Sequence, residues 1–165
     1  MKILKFTIFC FVFFFVTNSL KSQNITATIG SLNSTTCAVG DTLVLPVSTV
    51  MGSGISVSAI SLAIDYDTTK LRCISSVTSL NSNIATGFLG NCGLFSNLNP
   101  GTGPFTPTTR RQFRAAWFNL TPVAFNGLMF NLRFVALAST TGTSPIAWDL
   151  ATPGNCEYAD ELADV

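Results

Sequence analysis

Strict alternation of apolar and small or polar residues is the feature that most limits what this chain can fold into. Residues two apart on a β-strand project to the same face of a sheet. In "VSAISLAIDY", residues 57–66, one face is large and apolar: Ile60, Leu62, Ile64 and Tyr66. The other face is small or polar: Ala59, Ser61, Ala63 and Asp65. This period of two predicts a strand with one buried side.

The same period recurs in later segments. In "RRQFRAAWFNL", residues 110–120, the apolar face is Phe113, Ala115 and Trp117. The opposite face is Gln112, Arg114, Ala116 and Phe118. In "GLMFNLRFVAL", residues 127–137, the apolar face is Leu128, Phe130, Leu132 and Phe134. Several such strands at regular spacing predict an all-β sandwich whose inner faces form one core.

Further strands are predicted in "NITATIGSL", "TLVLPVSTV", "KLRCISSVTSL" and "SPIAWDLATPG". Clusters of Gly, Pro, Asn, Ser and Thr separate them, as expected of turns. Pro46 lies inside one predicted strand, which indicates an edge position or a bulge. The segment 81–109 is rich in loop-forming residues and has room for one short strand.

The charge composition excludes several classes of function. Lys+Arg is 9 and Asp+Glu is 8, so the net charge of +1 offers no basic footprint for nucleic acid. The chain has no histidine, which excludes Ser-His-Asp and Cys-His nucleophile arrangements and removes the commonest zinc ligand. We expect no cofactor and no metal site.

The N-terminus has the pattern of an export signal. Lys2 and Lys5 precede an apolar run from Phe6 to Val16, which is too short to span a bilayer but suits a secretory signal. We predict a signal peptide at residues 1–22, followed by one domain at residues 24–165. The mature chain then has no membrane span and is secreted or held at the cell surface.

The cysteines fit export to an oxidising compartment. Removal of the signal would take Cys10 with it and leave four cysteines in the domain: Cys37, Cys73, Cys92 and Cys156. An even number predicts two disulfides, although spacing does not choose among the three pairings, and unpaired thiols are the alternative.

Asp65 and Asp67 flank Tyr66 and allow three interpretations: a catalytic carboxylate pair, part of a calcium site, or a turn at a strand end. Their separation overlaps that of the carboxylates of inverting glycosidases. However, "TTK" follows Asp67, and an aspartate before such a sequence commonly bonds backbone amides of the turn. We favour the turn.

Two other groups of residues have a structural and a functional interpretation. The acidic tail "CEYADELADV" lacks the ligand spacing of an EF-hand, so a solvated end is favoured over a metal site. Four aromatic residues could form a sugar-stacking platform or simply pack: Trp117, Phe118, Trp148 and Tyr158. Alternation places Trp117 in the core, which favours packing.

Taken together, the strand pattern resembles a cohesin module. Three segments carry the resemblance in order: "VGDTLVLPVSTV", "ISVSAISLAIDYDTTKL" and "GLMFNLRFVALASTTGTSPIAW". The resemblance implies a jelly-roll β-sandwich of about eight to nine strands. It also implies a module that has no catalytic activity and that docks a dockerin-type partner on one flat sheet face. Assembly with another surface protein is the wider expectation. Cohesins normally close with a further strand, so the domain is expected to lack its last strand.

The resemblance assigns partner binding to the outward faces of two strands. The residues implied are Ala59, Ser61, Ala63, Asp65, Gln112, Arg114, Ala116 and Phe118. Ala59 and Ser61 stand where cellulosomal cohesins tend to carry asparagine and aspartate, so this face departs from the family pattern. A carbohydrate-binding module, with polysaccharide as ligand, is the first alternative function. A glycoside hydrolase using Asp65 and Asp67 is the second.

Overall fold

The computed structural model describes residues 25–33, 36–93, 110–138, 140–141 and 146–159. Within these ranges the regular elements are eleven β-strands. In chain order they are β1 (Ile25–Ile29), β2 (Thr36–Cys37), β3 (Thr42–Met51), β4 (Val57–Asp67), β5 (Leu71–Thr78), β6 (Leu89–Gly93), β7 (Arg110–Val123), β8 (Gly127–Ala136), β9 (Thr140–Thr141), β10 (Ile146–Trp148) and β11 (Glu157–Ala159).

Nine of these strands form two antiparallel sheets. The first sheet has the order β1-β3-β8-β5, and the second has the order β10-β4-β7-β6, with β11 also paired to β4. The remaining strands, β2 and β9, pair with each other. The predicted all-β sandwich is therefore confirmed. Among the described residues, no helix is long and apolar enough to cross a membrane.

The core lies between the inner faces of the two sheets. Strand β3 alternates buried and partly exposed residues along its length, as the period of two predicts. Trp117 of β7 is buried as expected, and its indole Nε1 donates to the carbonyl oxygen of Thr86 at 3.0 Å. Phe130 packs against Phe88 and Phe113, with ring centroids 5.3 and 5.7 Å apart.

Pro46 does not lie at a sheet edge, because β3 pairs with both β1 and β8. A bulge lies near Pro46, in the partner strand β8 and not in β3 itself. Val47 is opposite Phe130 and Ser48 is opposite Leu128, so Met129 is an extra residue in β8. This shifts the alternation by one residue. Met129 is buried and Leu128 is exposed, so the predicted inward placement of Leu128 is wrong.

One disulfide joins the two sheets at a shared edge. It links Cys73 of β5 in the first sheet to Cys92 of β6 in the second, with Cα atoms 5.9 Å apart. The neighbouring Ser75 hydroxyl accepts a hydrogen bond from the backbone N–H of Cys92 at 3.2 Å. The predicted second disulfide is wrong, because Cys37 and Cys156 are both thiols.

Part of the acidic tail is a strand and not a solvated end. Residues Glu157–Ala159 form β11, in which Tyr158 lies opposite Ile60 and Ala159 opposite Ala59. The predicted signal peptide, Cys10, residues 94–109 and residues 160–165 lie outside the described ranges. The boundaries of the signal and of the domain therefore stay predictions.

Candidate functional site

The eight residues expected to bind a partner form four cross-strand pairs on the outer side of β4 and β7. The pairs are Ala59–Phe118, Ser61–Ala116, Ala63–Arg114 and Asp65–Gln112. Paired residues on neighbouring strands project to the same face of a sheet. The inner residues of β4, such as Leu62 and Ile64, are buried in the core. The sequence alternation thus separates the inner and outer faces of both strands correctly.

A segment between β10 and β11 lies over part of this face. Trp148, the last residue of β10, is opposite Ile64, and Glu157, the first of β11, is opposite Ser61. Eight residues, 149 to 156, therefore connect positions that only two residues of β4, 62 and 63, separate. We call residues 149–156 the covering loop.

Backbone and thiol groups attach the covering loop to β4. The backbone N–H of Asp149 donates to the carbonyl oxygen of Ala63 at 3.0 Å. The Cys156 Sγ accepts from the Ala63 N–H at 3.5 Å and donates to the Ala63 oxygen at 3.3 Å. Burial raises the pKa of the Cys156 thiol, so it stays protonated and able to donate. On the side of β4 away from β7, these contacts take the place of strand pairing at Ala63.

The Asp149 carboxylate holds the loop in shape. It is 2% exposed, and its Oδ2 accepts hydrogen bonds from Thr152 Oγ1 at 2.8 Å and Asn155 Nδ2 at 2.9 Å. It also accepts from Gln112 Nε2 of β7 at 2.6 Å. A buried carboxylate is stable only when such donors replace water. Asp149 therefore joins the loop to the sheet beneath it.

Gln112 links Asp149 to Arg114 by hydrogen bonds. Its Nε2 donates to Asp149, while its Oε1 accepts a hydrogen bond from Arg114 Nε at 3.0 Å. Gln112 is fully buried, so the amide has no water to compete for either bond. The result is a continuous chain of hydrogen bonds from the covering loop to an arginine on the outer face.

The predicted binding site is wrong at three positions, where the residues are buried. Ala63, Asp65 and Gln112 are 0%, 3% and 0% exposed, so they do not present side chains to a partner as expected. Ala59, Ser61 and Arg114 are partly exposed, whereas Ala116 and Phe118 are exposed. The accessible part of the face is thus the half farther from β10.

Apolar side chains occupy this accessible half. Leu89 of β6 pairs with Ala116, which places it on the same face as Phe118. Leu89 and Phe118 are 72% and 63% exposed. We call Leu89, Ala116 and Phe118 the open patch. Sequence reasoning missed Leu89 because it lies in the loop-rich middle, where no alternation marks a strand.

A groove of about 630 Å³ separates the open patch from the covering loop. Polar and apolar residues line it together, among them Ser61, Leu89, Asn91, Arg114, Gly154 and Asn155. The Ser61 hydroxyl donates to the Gly154 oxygen at 2.8 Å, which fixes one wall. Arg114 contributes the positive charge of the groove.

Asp67 stabilises a turn at the end of β4 and is not part of a catalytic or metal site. Its Oδ1 accepts hydrogen bonds from the Thr69 N–H at 2.8 Å and from the Thr69 hydroxyl at 2.7 Å. The turn interpretation is therefore confirmed. Asp65 is buried beside the covering loop, and neither carboxylate lines the groove. In the described part of the chain, no group of three or more Cys, Asp or Glu residues is placed to hold a metal ion.

The aromatic residues pack and do not form a platform. Trp117 is buried, Trp148 and Tyr158 are partly buried against the core, and Phe118 is exposed. Burial raises the pKa of Tyr158 to about 12, which agrees with a phenol that faces the sandwich interior.

The fold and the face define a β-sandwich with one uncharged outer patch bordered by a loop. No protein-family model matches the sequence, and no curated protein matches it either. Solved structures do match the fold. A type II cohesin domain from the cellulosome of Acetivibrio cellulolyticus has a TM-score of 0.52 and 18% identity, covering 84% of this chain and 86% of that one.

Two complexes give similar matches. A chain of a type II cohesin–X–dockerin complex from Acetivibrio cellulolyticus has a TM-score of 0.56 and 12% identity, covering 85% of this chain and 89% of its own. A chain of the CaDoc0917–CaCohA2 complex has a TM-score of 0.58 and 21% identity, covering 84% and 90%. The chain therefore has the fold of cohesin modules.

Proposed function

We propose that this protein is a non-catalytic docking module that binds a dockerin-type module through the outer face of β4, β7 and β6. The observation that carries the proposal is the open patch, since two large apolar side chains on a regular sheet face are exposed among the residues that the structure describes. Exposed apolar surface rimmed by polar residues is typical of protein interaction sites. The similarity to a cohesin in complex with a dockerin supports the choice of partner.

The proposed contact surface is smaller than the face expected from the sequence. The covering loop occupies the half around Ala63 and Asp65, so we assign the contact to Ala59, Ser61, Arg114, Ala116 and Phe118, together with Leu89. Phe118 is the residue on which we expect the largest effect, because truncation of exposed aromatic anchors costs most at interfaces.

Export of the module is part of the proposal. The disulfide between β5 and β6 is typical of proteins that fold in an oxidising compartment. The predicted signal peptide and the low charged fraction of 10% agree with it. We propose a secreted or cell-surface location.

A carbohydrate-binding role is less well supported. Sugar platforms need several coplanar exposed aromatic rings, and among the described residues Phe118 is the one exposed large aromatic side chain. A hydrolase is also disfavoured, because Asp67 is bound to its own turn and Asp65 is buried opposite Ala147 of β10.

Binding to calcium-loaded dockerin modules tests the proposal. The mature domain would be immobilised and a panel of dockerins passed over it in biolayer interferometry. Phe118→Arg should weaken any binding by at least about tenfold, because it places an unpaired charge in an apolar contact. Val50→Arg is the matched control: Val50 lies on β3 in the opposite sheet and is 62% exposed, against 63% for Phe118.

Equal loss of binding in both variants, or no loss in either, would contradict the assignment of this face. No binding by the unmodified domain to any dockerin, with measurable binding to a polysaccharide, would favour the carbohydrate-binding alternative.

A further inference from the structure

We infer that a bulge in β7 presents Leu120 as an anchor that inserts into an apolar pocket of the docked partner. The inference rests on the proposed docking function and adds to it the chemistry of one contact. It predicts a partner in which an apolar pocket lies beside the surface that covers Phe118.

The bulge follows from the register between β4 and β7. Ala59 is opposite Phe118, whereas Val57 is opposite Val123. Two residue steps along β4 therefore correspond to five along β7, so β7 has three extra residues in this stretch. Extra residues leave the ladder and bend the strand, and bulges are frequent where a side chain is redirected at a functional site. We call residues 119–122 the β7 bulge.

Leu120 is the most exposed large apolar side chain in the described part of the chain. It is 86% exposed, compared with 72% for Leu89 and 63% for Phe118. Leu120 therefore contributes almost nothing to the core, and the favourable free energy of burying it is available only to a complex. A side chain that projects this far from a sheet is fully buried only by a concave surface, so the matching feature of the partner is a pocket.

Leu120 lies next to the open patch. It is two residues after Phe118, so the Cα atoms of the two residues are at most about 7 Å apart. A partner that covers Phe118 therefore reaches Leu120 as well. Leu120 extends the apolar surface of the open patch beyond the regular part of the sheet, and this continuity assigns both residues to the same partner.

One hydrogen bond within the bulge and one just before it restrain the backbone. Asn119 Oδ1 accepts from the backbone N–H of Thr121 at 3.3 Å, which closes a turn around the residue between them. Pro122 follows with a φ fixed by its ring. Before the bulge, the indole Nε1 of Trp117 donates to the carbonyl oxygen of Thr86. An anchor on a restrained backbone loses little conformational entropy on binding.

The test measures binding of three Leu120 variants to the same calcium-loaded dockerin by biolayer interferometry. Leu120→Ser should weaken binding by about fivefold or more, because the apolar contact is lost. Leu120→Met has a similar volume and should change binding by less than about twofold. Leu120→Trp should weaken binding by about fivefold or more, because a pocket that fits leucine has no room for an indole.

Val39→Ser is the matched control for the loss of an exposed apolar side chain. Val39 is 64% exposed in the turn before β3, away from the proposed contact surface. We expect Val39→Ser to change binding by less than about twofold.

Urea unfolding separates a docking role of Leu120 from a structural one. Because Leu120 is almost fully exposed, Leu120→Ser should keep the urea midpoint of the unmodified domain within about 0.3 M. Weaker binding with an unchanged midpoint supports the anchor. A larger fall of the midpoint would show that Leu120 stabilises the fold and would overturn the inference.

The outcomes separate this inference from the docking proposal. If a dockerin binds the unmodified domain and Leu120→Ser binds as tightly, the anchor is wrong and docking stands. If Leu120→Ser binds more weakly but Leu120→Trp binds as tightly as the unmodified domain, the contact is flat and the pocket is wrong. If no dockerin binds the unmodified domain, both proposals are overturned. A dimer in sedimentation velocity that Leu120→Ser converts to a monomer would mean that a second copy of the chain covers Leu120, against the inference.

Discussion

Reduction of the disulfide between Cys73 and Cys92 should destabilise the sandwich by a predictable amount. The bond closes a loop with a sequence separation of 19 residues between the edges of two different sheets. In the chain-entropy model, closing a loop of this length lowers the entropy of the unfolded chain enough to stabilise the fold by about 3 kcal/mol at 25 °C. No other covalent link between the two sheets is present among the described residues.

Urea unfolding with and without reductant measures the effect. With a slope of about 1–3 kcal/mol per molar for a domain of this size, a loss of about 3 kcal/mol moves the urea midpoint down by about 1–3 M. The reduced unmodified protein is the best comparison, because it keeps both side chains and loses only the cross-link. A Cys73→Ala, Cys92→Ala variant should then unfold at or below the midpoint of the reduced protein and should not respond to reductant.

A reduced protein whose midpoint lies within about 0.3 M of the oxidised one would refute the reasoning. That result would mean that the edges of β5 and β6 are already held together in the unfolded chain, or that the bond is not formed in solution. Thiol counting under denaturing conditions distinguishes the two, because the structure predicts two titratable thiols, Cys37 and Cys156, in the described part of the oxidised protein.

Two further predictions concern buried polar groups. Asp149→Asn should lower the free energy of unfolding by about 2 kcal/mol, because a buried charged acceptor of several hydrogen bonds is lost. Asp41→Asn, in an exposed turn where Oδ2 accepts from the Ala38 N–H, is the matched control and should change it by less than about 1 kcal/mol in the same urea titration. Equal effects would show that Asp149 does not anchor the loop. Burial raises the pKa of Tyr158 to about 12 in the folded protein. The unfolded chain has a tyrosine pKa near 10, so the free energy of unfolding does not depend on this group below pH 10. It falls by about 2–3 kcal/mol as pH rises from 10 to 12, because the unfolded chain then ionises first. Tyr158→Phe should lose correspondingly less stability over that range, and parallel pH profiles for the two proteins would contradict a buried phenol.

The alternation of apolar and polar residues predicted most of the sandwich, because a strand buried on one side shows this pattern within a few consecutive residues. The inner faces of β4 and β7, the buried position of Trp117 and the turn at Asp67 all follow from neighbours within a few residues. Pro46 and Leu128 show the limit of this approach. The bulge at Met129 depends on how β8 registers against β3, and that pairing joins residues about 80 positions apart, such as Val47 and Phe130.

The candidate site was harder to predict for the same reason. The position of its eight residues on the outer side of β4 and β7 follows from alternation, but the burial of Ala63, Asp65 and Gln112 does not. Their burial arises because β10 and β11 both pair with β4 and the chain between them folds back over the sheet. The bonds that hold it, such as Gln112 to Asp149 and Cys156 to Ala63, span 37 and 93 residues. The stretch Thr-Pro-Gly-Asn at residues 152–155, shortly after Asp149, has the composition of a structured turn, and that was the available local signal.

The pairing of β10 and β11 with the same neighbour has an evolutionary consequence. Both ends of the intervening stretch are secured by ladder pairing, so insertions or deletions there would leave the rest of the sandwich in register. Each change of length would instead expose or cover further outer-face residues of β4. Paralogues could thereby acquire different binding preferences through one tolerant segment, while the scaffold that presents it stays constant.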